Sequence, residues 1–507
     1  MPELPVSIAQ HYHERTKYDP QTLASKSQGL DWEKQPVPFK EYKIGTSFDL
    51  KPYLKTDVTD PEAKWWRRLS RLLFCSYGLT ARVPTMTGSP MYLRAAPSAG
   101  GLYPAEVYII SRGTPQLPAG LYNYQPLTHS LIHFWDSHVW SALQAACFWH
   151  PALESTFLAL ATSAIFYRSA WRYQDRAYRR IFLDTGHLLG NIELASAFTD
   201  YRPHLIGGFN DEALKDLLYL DSDREGAITV IPLADQLDFQ QNLPLFRTAL
   251  PSPTQTEYPK IPDGELLAYF HSATELTADP TGTAGWKLDP DPKEEQDKYN
   301  FPFCTKVSTV TPSIFWGKDL QGLESTILRR RSTRAYSGAA LTLEELKALL
   351  DFTYQPHHYI DQGLDSSPDY FDLNLIETFI AVCAVTGLEE GCYYYAPKAQ
   401  ELRQIRFKNF RRELHYLCLG QELGRDAAAV LFHTADLKKA VAQYGDRVYR
   451  YLHMDAGHLG QRLNLAAIHL SLGVSGIGGF FDDQVNEVLG IPADEAVLYI
   501  TTLGRPR

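Results

Sequence analysis

The sequence predicts an α+β fold: two tandem copies of one domain, each a central mixed or antiparallel sheet with helices packed around it. Repetition is the first sign. YQDRAYRRIFLDTGHLLGNIELASA from Tyr173 aligns with YGDRVYRYLHMDAGHLGQRLNLAAI from Tyr444 at an offset of 271 residues. Arg176/Arg447, Tyr178/Tyr449, Arg179/Arg450, Asp184/Asp455, Gly186/Gly457 and His187/His458 coincide. At the same offset IGGFND (206–211) meets IGGFFD (477–482), and PSAGGLYP (97–104) meets PDYFDLNL (368–375). A period of 271 residues is that of a domain, far longer than a solenoid unit. The second sign is the alternation of helical and strand patterns within each copy. The third is a stretch rich in Pro, Gly and charge between them, which reads as a connection.

Taken in order, residues 1–44 form an N-terminal segment, 45–235 the first domain, 236–320 the connecting segment and 321–507 the second domain. In the first copy Ile181, Leu188, Ile192 and Ala195 fall at helical spacing, as do Leu452, Leu459, Leu463 and Ala466 in the second. EVYII, AITVIPL, AAVLFHT and AVLYITTL supply strands. After each IGGF turn an amide or acid (Asn210 or Asp211; Asp482 or Asp483) is placed to cap a short helix. Thr342 and Glu345 have the spacing of a capping box for the helix that carries Leu346, Leu349 and Leu350. Two related copies on one chain read as a covalent version of a two-fold dimer, an intramolecular pseudo-dimer acting as a monomer.

Composition narrows the function classes. A net charge of −10 disfavours nucleic acid or an acidic membrane as partner, while leaving room for a small anion held by local arginines. Six cysteines (Cys75, Cys147, Cys304, Cys383, Cys392, Cys418) without CxxC spacing read as reduced thiols. The start of the chain lacks a basic segment followed by an apolar run, and no stretch is long and apolar enough to span a bilayer, so the sequence predicts a cytoplasmic protein. His11/His13 and His357/His358 lack the companions of a zinc site, and no metal is expected.

Ahead of the capped helix, Arg330, Arg331, Ser332 and Arg334 gather charge and a hydroxyl, and TLGRPR adds Arg505 and Arg507 at the end of the last strand. Guanidinium forks match phosphate geometry. The RRSTR segment before LTLEEL, the PSAGG turn, the IGGF turn and the terminal LGRP together resemble the nitroreductase family of FMN flavoproteins. RAAPSAGGLYPAEVYII and YRRIFLDTGHLLGNIELAS resemble in particular its SagB/ThcOx-type dehydrogenase branch. The resemblance covers roughly 45–240 and 325–507, and it implies two tandem nitroreductase-like domains.

In that family FMN sits at a dimer interface, one subunit giving the arginines, the glycine turn and the terminal cations, its partner the PS turn. The resemblance therefore implies one composite site. Arg330, Arg331, Ser332, Arg334, Ile477, Gly478, Gly479, Arg505 and Arg507 come from the second copy, and Pro97, Ser98, Ala99, Gly100 and Gly101 from the first. The reciprocal site would need arginines near 45–53, where the chain reads GTSFDLKPY, and a PS turn at 368, where it reads PDYFDLNL. Both are missing, so one FMN per chain is expected and the second cleft is expected to be filled. The function implied is an FMN-dependent oxidoreductase that takes electrons from a donor, NAD(P)H as a transient substrate, and reduces a small-molecule acceptor. The alternatives are a SagB-type azoline dehydrogenase and a flavin-binding scaffold without turnover. The azole-forming branch carries Lys-Tyr where this chain has Arg172-Tyr173 and Gln443-Tyr444, so Tyr173 and Tyr444 remain as catalytic candidates and the lysine is absent. Arginine stays protonated and is a poor base.

Overall fold

The computed structural model describes residues 6–23, 29–55, 59–84, 90–238, 241, 244–280, 282, 286 and 296–507. Each copy builds a seven-stranded sheet. The first contains β1 (Thr46–Asp49), β2 (Ala105–Ser111), β3 (Gly120–Gln125), β4 (Ser130–Trp135), β5 (Leu158–Ile165), β6 (Tyr201–Pro203) and β7 (Glu225–Asp235), in the order β1-β4-β3-β2-β5-β7-β6. The second contains β8 (Lys306–Ser308), β9 (Glu377–Val382), β10 (Gly391–Ala396), β11 (Glu401–Arg406), β12 (Ala429–Asp436), β13 (Gly473–Ile477) and β14 (Glu495–Gly504). Its order, β8-β11-β10-β9-β12-β14-β13, repeats the first strand for strand. Every pairing in both large sheets is antiparallel. The inner strands β2 and β9 are buried along their whole length, which is why their sequences are apolar runs without alternation.

The helices that matter for the site are α1 (Ile8–Arg15), α2 (Pro61–Tyr77), α3 (Phe166–Tyr173), α4 (Ala177–Ala197), α5 (Leu266–Ala273), α6 (Gln321–Arg329), α7 (Leu343–Tyr354), α8 (Leu437–Tyr444) and α9 (Val448–His469). Helices α4 and α9 are the two copies of the long repeat helix, and almost all of their side chains are buried because they pack against each other as well as on their own sheets. They cross at glycine. A side chain on Gly186 would strike the Met454 carbonyl, and one on Gly457 would strike the Leu183 carbonyl. These contacts interchange under the 271-residue offset, which is the signature of a two-fold interface closed within one chain.

The same symmetry governs the buried charges. Arg176 and Arg179 of the first copy bond Asp482 of the second at 2.8 and 2.7 Å, and Arg447 and Arg450 of the second bond Asp211 of the first at 2.6 and 2.9 Å. Burial alone would raise the Asp482 carboxyl, but Arg176 and Arg179 hold it below its ordinary value. These aspartates therefore do not serve as helix caps. Asn210 accepts from the Ala213 N–H in the first copy, Phe481 stands at the cap position in the second, and Asp483 pairs with Lys17. The capping box of Thr342 and Glu345 forms as its spacing predicts.

Helix α5 lies inside the segment that the sequence assigns to the connection. It is the second copy of α1. Thr16 Oγ1 accepts from Arg179 Nε, and Thr274 Oγ1 accepts from Arg450 Nε. The Tyr18 N–H donates to Asp482, and the Leu276 N–H to Asp211. His13/His271, Thr16/Thr274 and Tyr18/Leu276 are each 258 residues apart, so this part of the duplication is out of step with the rest. Among the described residues no helix is long and apolar enough to cross a membrane. All six cysteines are free, five of them buried.

Candidate functional site

The PSAGG turn follows the hairpin of strands 79–83 and 91–94 and leads into β2. Asp184, on α4, ties it down: Ser98 Oγ donates to the carboxylate at 2.6 Å and the Ala99 N–H at 3.1 Å. Burial pushes the Asp184 carboxyl up to about 7, and the bonds from Ser98 and Ala99 and the charge of Arg180 only partly oppose it. Ser98 Oγ in turn accepts from the Tyr103 N–H. Gly100 and Gly101 both have φ of 67°, a region that other residues enter only under strain. A Cβ on Gly100 would lie 2.9 Å from the Tyr173 hydroxyl, whereas one on Gly101 would meet nothing within 4 Å.

The Ile477-Gly478-Gly479 turn of the second copy faces this turn across the repeat interface, and two side chains of the first copy join them. Arg180 lays its guanidinium 3.7 Å from the Tyr173 ring centroid, and its Nη1 is 2.5 Å from where a Gly478 Cβ would stand. Tyr18 closes the edge, 3.8 Å from a Cβ on Gly479. The Tyr173 hydroxyl has no hydrogen-bond partner among the described residues, and burial raises its pKa against the opposing charges of Arg180 and Arg172. Gln174, directly after it, takes φ 48° and ψ −138°, where the other copy has Gly445. A non-glycine residue there stores strain.

The arginine segment reaches the stretch just ahead of the PSAGG turn. Arg330 crosses into the first copy, donating from Nε to the Ala95 carbonyl at 2.6 Å and from Nη2 to the Arg94 carbonyl at 3.2 Å. Its Nη1 is buried and has no partner, and burial brings its pKa down to about 10. Arg331 bonds Thr80. The side chains of Ser332 and Arg334 have no hydrogen bond or ion pair among the described residues. The terminal segment runs beside them, with the Ser337 N–H donating to the Arg505 carbonyl and the Arg507 N–H to the Ala335 carbonyl. Arg505 itself pairs with Glu345 at 2.8 Å, and the Arg507 side chain lies within the field of Asp426.

In the reciprocal cleft large side chains of the turn at 369–372 pack where the first copy has small ones, and a cavity of about 570 Å³ lined by Glu193, Arg202, Leu205, Pro368, Asp369 and His458 remains beside them. Phe371, which stands where the first copy has Gly100, is 5% exposed. Its ring stacks on Tyr451 at 4.9 Å and lies 2.5 Å from a Cβ position on Gly207. Tyr370 stacks on His458 at 4.2 Å, Asp369 pairs with Arg202 at 2.9 Å, and Leu250 covers Gly208. Tyr444 belongs here, with its hydroxyl and Gln443 Nε2 both donating to Asp372. The structure thus separates the two tyrosine candidates: Tyr173 lies beside Gly100 and Tyr444 on Asp372 in the reciprocal cleft. Between these regions His187 bonds Gln461 and Tyr499, each at 2.8 Å.

Sequence reasoning missed Arg180, Tyr18 and Asp184 as site residues. Asp184 was legible as a repeated acid with no evident solvent face. Arg180 and Tyr18 differ between the copies, Tyr451 and Leu276 being their counterparts, so repetition hid them.

Comparison with known proteins gives a consistent result. The nitroreductase family model matches residues 69–234 and again 327–505. A crystal structure of a candidate nitroreductase from Anabaena variabilis is 74% identical and covers 99% of this chain and 100% of its own, with a TM-score of 0.95. A candidate nitroreductase of Methanocaldococcus jannaschii is 33% identical over 183 residues, 36% of this chain and 90% of that protein. The microcin B17-processing protein McbC of Escherichia coli is 28% identical over 148 residues, 28% of this chain and 53% of McbC.

Proposed function

The chain belongs to the nitroreductase family, and we propose that it is an FMN-dependent oxidoreductase with one flavin site per chain, built between the repeats. The observation that carries this is the convergence of three elements on one place: the glycine turn at 100–101, the glycine turn at 478–479, and an arginine segment whose Arg330 Nη1 is buried without a partner. A buried donor left unmade costs about 1–3 kcal/mol, and an anionic ligand relieves that. Arg330, Ser332 and Arg334 would hold the phosphate. Arg331 shapes the segment through Thr80, and Arg505 and Arg507, each beside a carboxylate (Glu345 and Asp426), would stand at its edge. Pro97 to Gly101 and Ile477 to Gly479 would flank the ring, where small residues let the backbone approach.

When bound, FMN supplies a centre that accepts and passes on a hydride equivalent, drawn from a reduced donor such as NAD(P)H and delivered to a small-molecule acceptor. The chain's own residues position and protonate. Asp184 fixes the turn through Ser98 and Ala99. The Tyr173 hydroxyl, kept protonated by burial, is suited to donate a proton to a reduced acceptor rather than to abstract one. The resemblance to the SagB/ThcOx-type branch supports azoline dehydrogenation as a second reading. Arg172 and Gln443 stand where that chemistry wants lysine, so oxidation of a thiazoline or oxazoline peptide, read as a loss of 2 Da, is expected to be absent or weak.

The absorbance spectrum of the purified protein, followed by anaerobic NADH or NADPH, tests the proposal. Flavin bands that bleach support the enzyme. Bands that persist with every donor favour a binding protein, and a colourless protein that FMN cannot reconstitute overturns both.

A further inference from the structure

Arg180 is 7% exposed and has no ion pair among the described residues. Its Nη2 reaches the Tyr18 hydroxyl only at 3.5 Å, and its Nε is buried without a partner. Asp184, one turn further along α4, feels the charge of Arg180 but accepts its hydrogen bonds from Ser98 and Ala99 instead. A guanidinium withdrawn from water without a counter-charge is costly to keep unless something else supplies that charge. The other arginines in or directly before the two repeat helices show the usual solution: Arg176, Arg179, Arg447, Arg450 and Arg462 all bond carboxylates. The fold does not need an arginine at this position, because Tyr451 fills the corresponding place in the other copy and bonds the carbonyls of Gly207 and Leu250.

We propose that Arg180 anchors a carboxylate on the small molecule that meets the flavin, making the acceptor an anionic, carboxylate-bearing compound. The inference rests on the flavin reading above. The guanidinium lies between Tyr173 and Gly478, on the face where the two glycine turns meet, and Arg172 adds a second positive charge beside Gly100, its Cδ 3.4 Å from a Cβ there. The phosphate of FMN has its own cations in the Arg330 segment, so this single buried guanidinium is left for a monoanion. A planar fork pairs with a carboxylate through two parallel N–H···O bonds. Burial holds the Asp184 carboxyl well above its ordinary value, which makes it a weak competitor for the guanidinium. The Tyr173 hydroxyl, unbonded and within a side chain's reach, then serves the uncharged end of the same molecule.

The test uses flavin-loaded wild type, Arg180→Gln and Arg180→Tyr, the last restoring the residue that the other copy tolerates. Each is titrated with benzoate and with neutral benzamide, and binding is read from the perturbation of the flavin absorbance. The inference expects benzoate to bind wild type and to lose roughly 10-fold or more in either variant, the scale of a charged hydrogen bond. Benzamide affinity should be unchanged in the flavin-loaded variants. Flavin-loaded wild type that does not respond to benzoate, equal benzoate affinity in Arg180→Gln, or a parallel loss for benzamide would overturn it. A wild type that takes up no flavin would instead remove the reading on which the inference rests.

Discussion

The two clefts between the repeats began as the same place and now differ by a handful of side chains. In one, Arg180 and Tyr18 line the turn at 478–479 and the facing turn carries Gly100; in the other, Phe371 and Tyr451 pack on Gly207, Leu250 covers Gly208, and Leu276 is the counterpart of Tyr18. What the clefts share is structural: the crossing at Gly186 and Gly457, the paired arginines on Asp482 and Asp211, and a buried acid, Asp184 or Asp455, bonded to the backbone of the facing turn. The comparison shows which residues serve the interface and which serve the site. Those kept twice hold the copies together, and those kept once are the candidates for ligand contact.

The comparison is broken most severely by writing one cleft into the other. Gly100→Phe should abolish flavin retention, since the ring would occupy the space that Phe371 fills opposite, and loss of flavin absorbance with unchanged circular dichroism would show it. The reverse change, Phe371→Ala, should cost about 3–5 kcal/mol in denaturant unfolding and create no second flavin site, because the arginine segment is still missing there. The shared half predicts equality: Asp211→Asn and Asp482→Asn should each destabilise by roughly 3–5 kcal/mol, as expected when a buried pair loses its acid. A large difference between them would mean that the two-fold symmetry is not energetic.

At the site, Arg334→Ala should weaken FMN by about 1.5–3 kcal/mol in a fluorescence titration, the worth of a charged phosphate contact, while Lys51→Ala should leave affinity unchanged. The smallest effect is on pH. Asp184 and Asp455 are both raised by burial from 3.8 to about 7, so the folded chain holds protons that the unfolded chain releases. Their contribution to stability is complete below the unfolded value and is lost as pH rises through about 7. Asp455→Asn should flatten the fall in melting temperature over that range without altering flavin content. An unchanged slope would place the proton elsewhere.

Much of this was legible in the sequence because the offset of 271 preserves both the helix spacing and the turns. The altered turn of the second cleft was legible too, since large and acidic residues at 369–372 replace small ones, whereas the cavity left beside Asp369 and His458 was not. The copy of α1 in α5 was not, because an altered spacing of 258 and the few identities between 8–18 and 266–276 leave nothing for alignment to hold. Asp211 and Asp482 were read only as cap candidates beside Asn210 and Asp483, the local role of an acid before a helix, because their arginine partners are more than 200 residues away and only tertiary packing brings them together. Arg180 was invisible for a different reason: a search for repetition discards the positions at which the copies disagree.

The central claim is that the duplication has kept one flavin site and closed the other, and counting flavin tests it most directly. Protein reconstituted with excess FMN, freed of unbound flavin and then denatured should release one equivalent per chain by absorbance, and still one from the Phe371→Ala variant. Two equivalents from the wild-type chain would contradict the account.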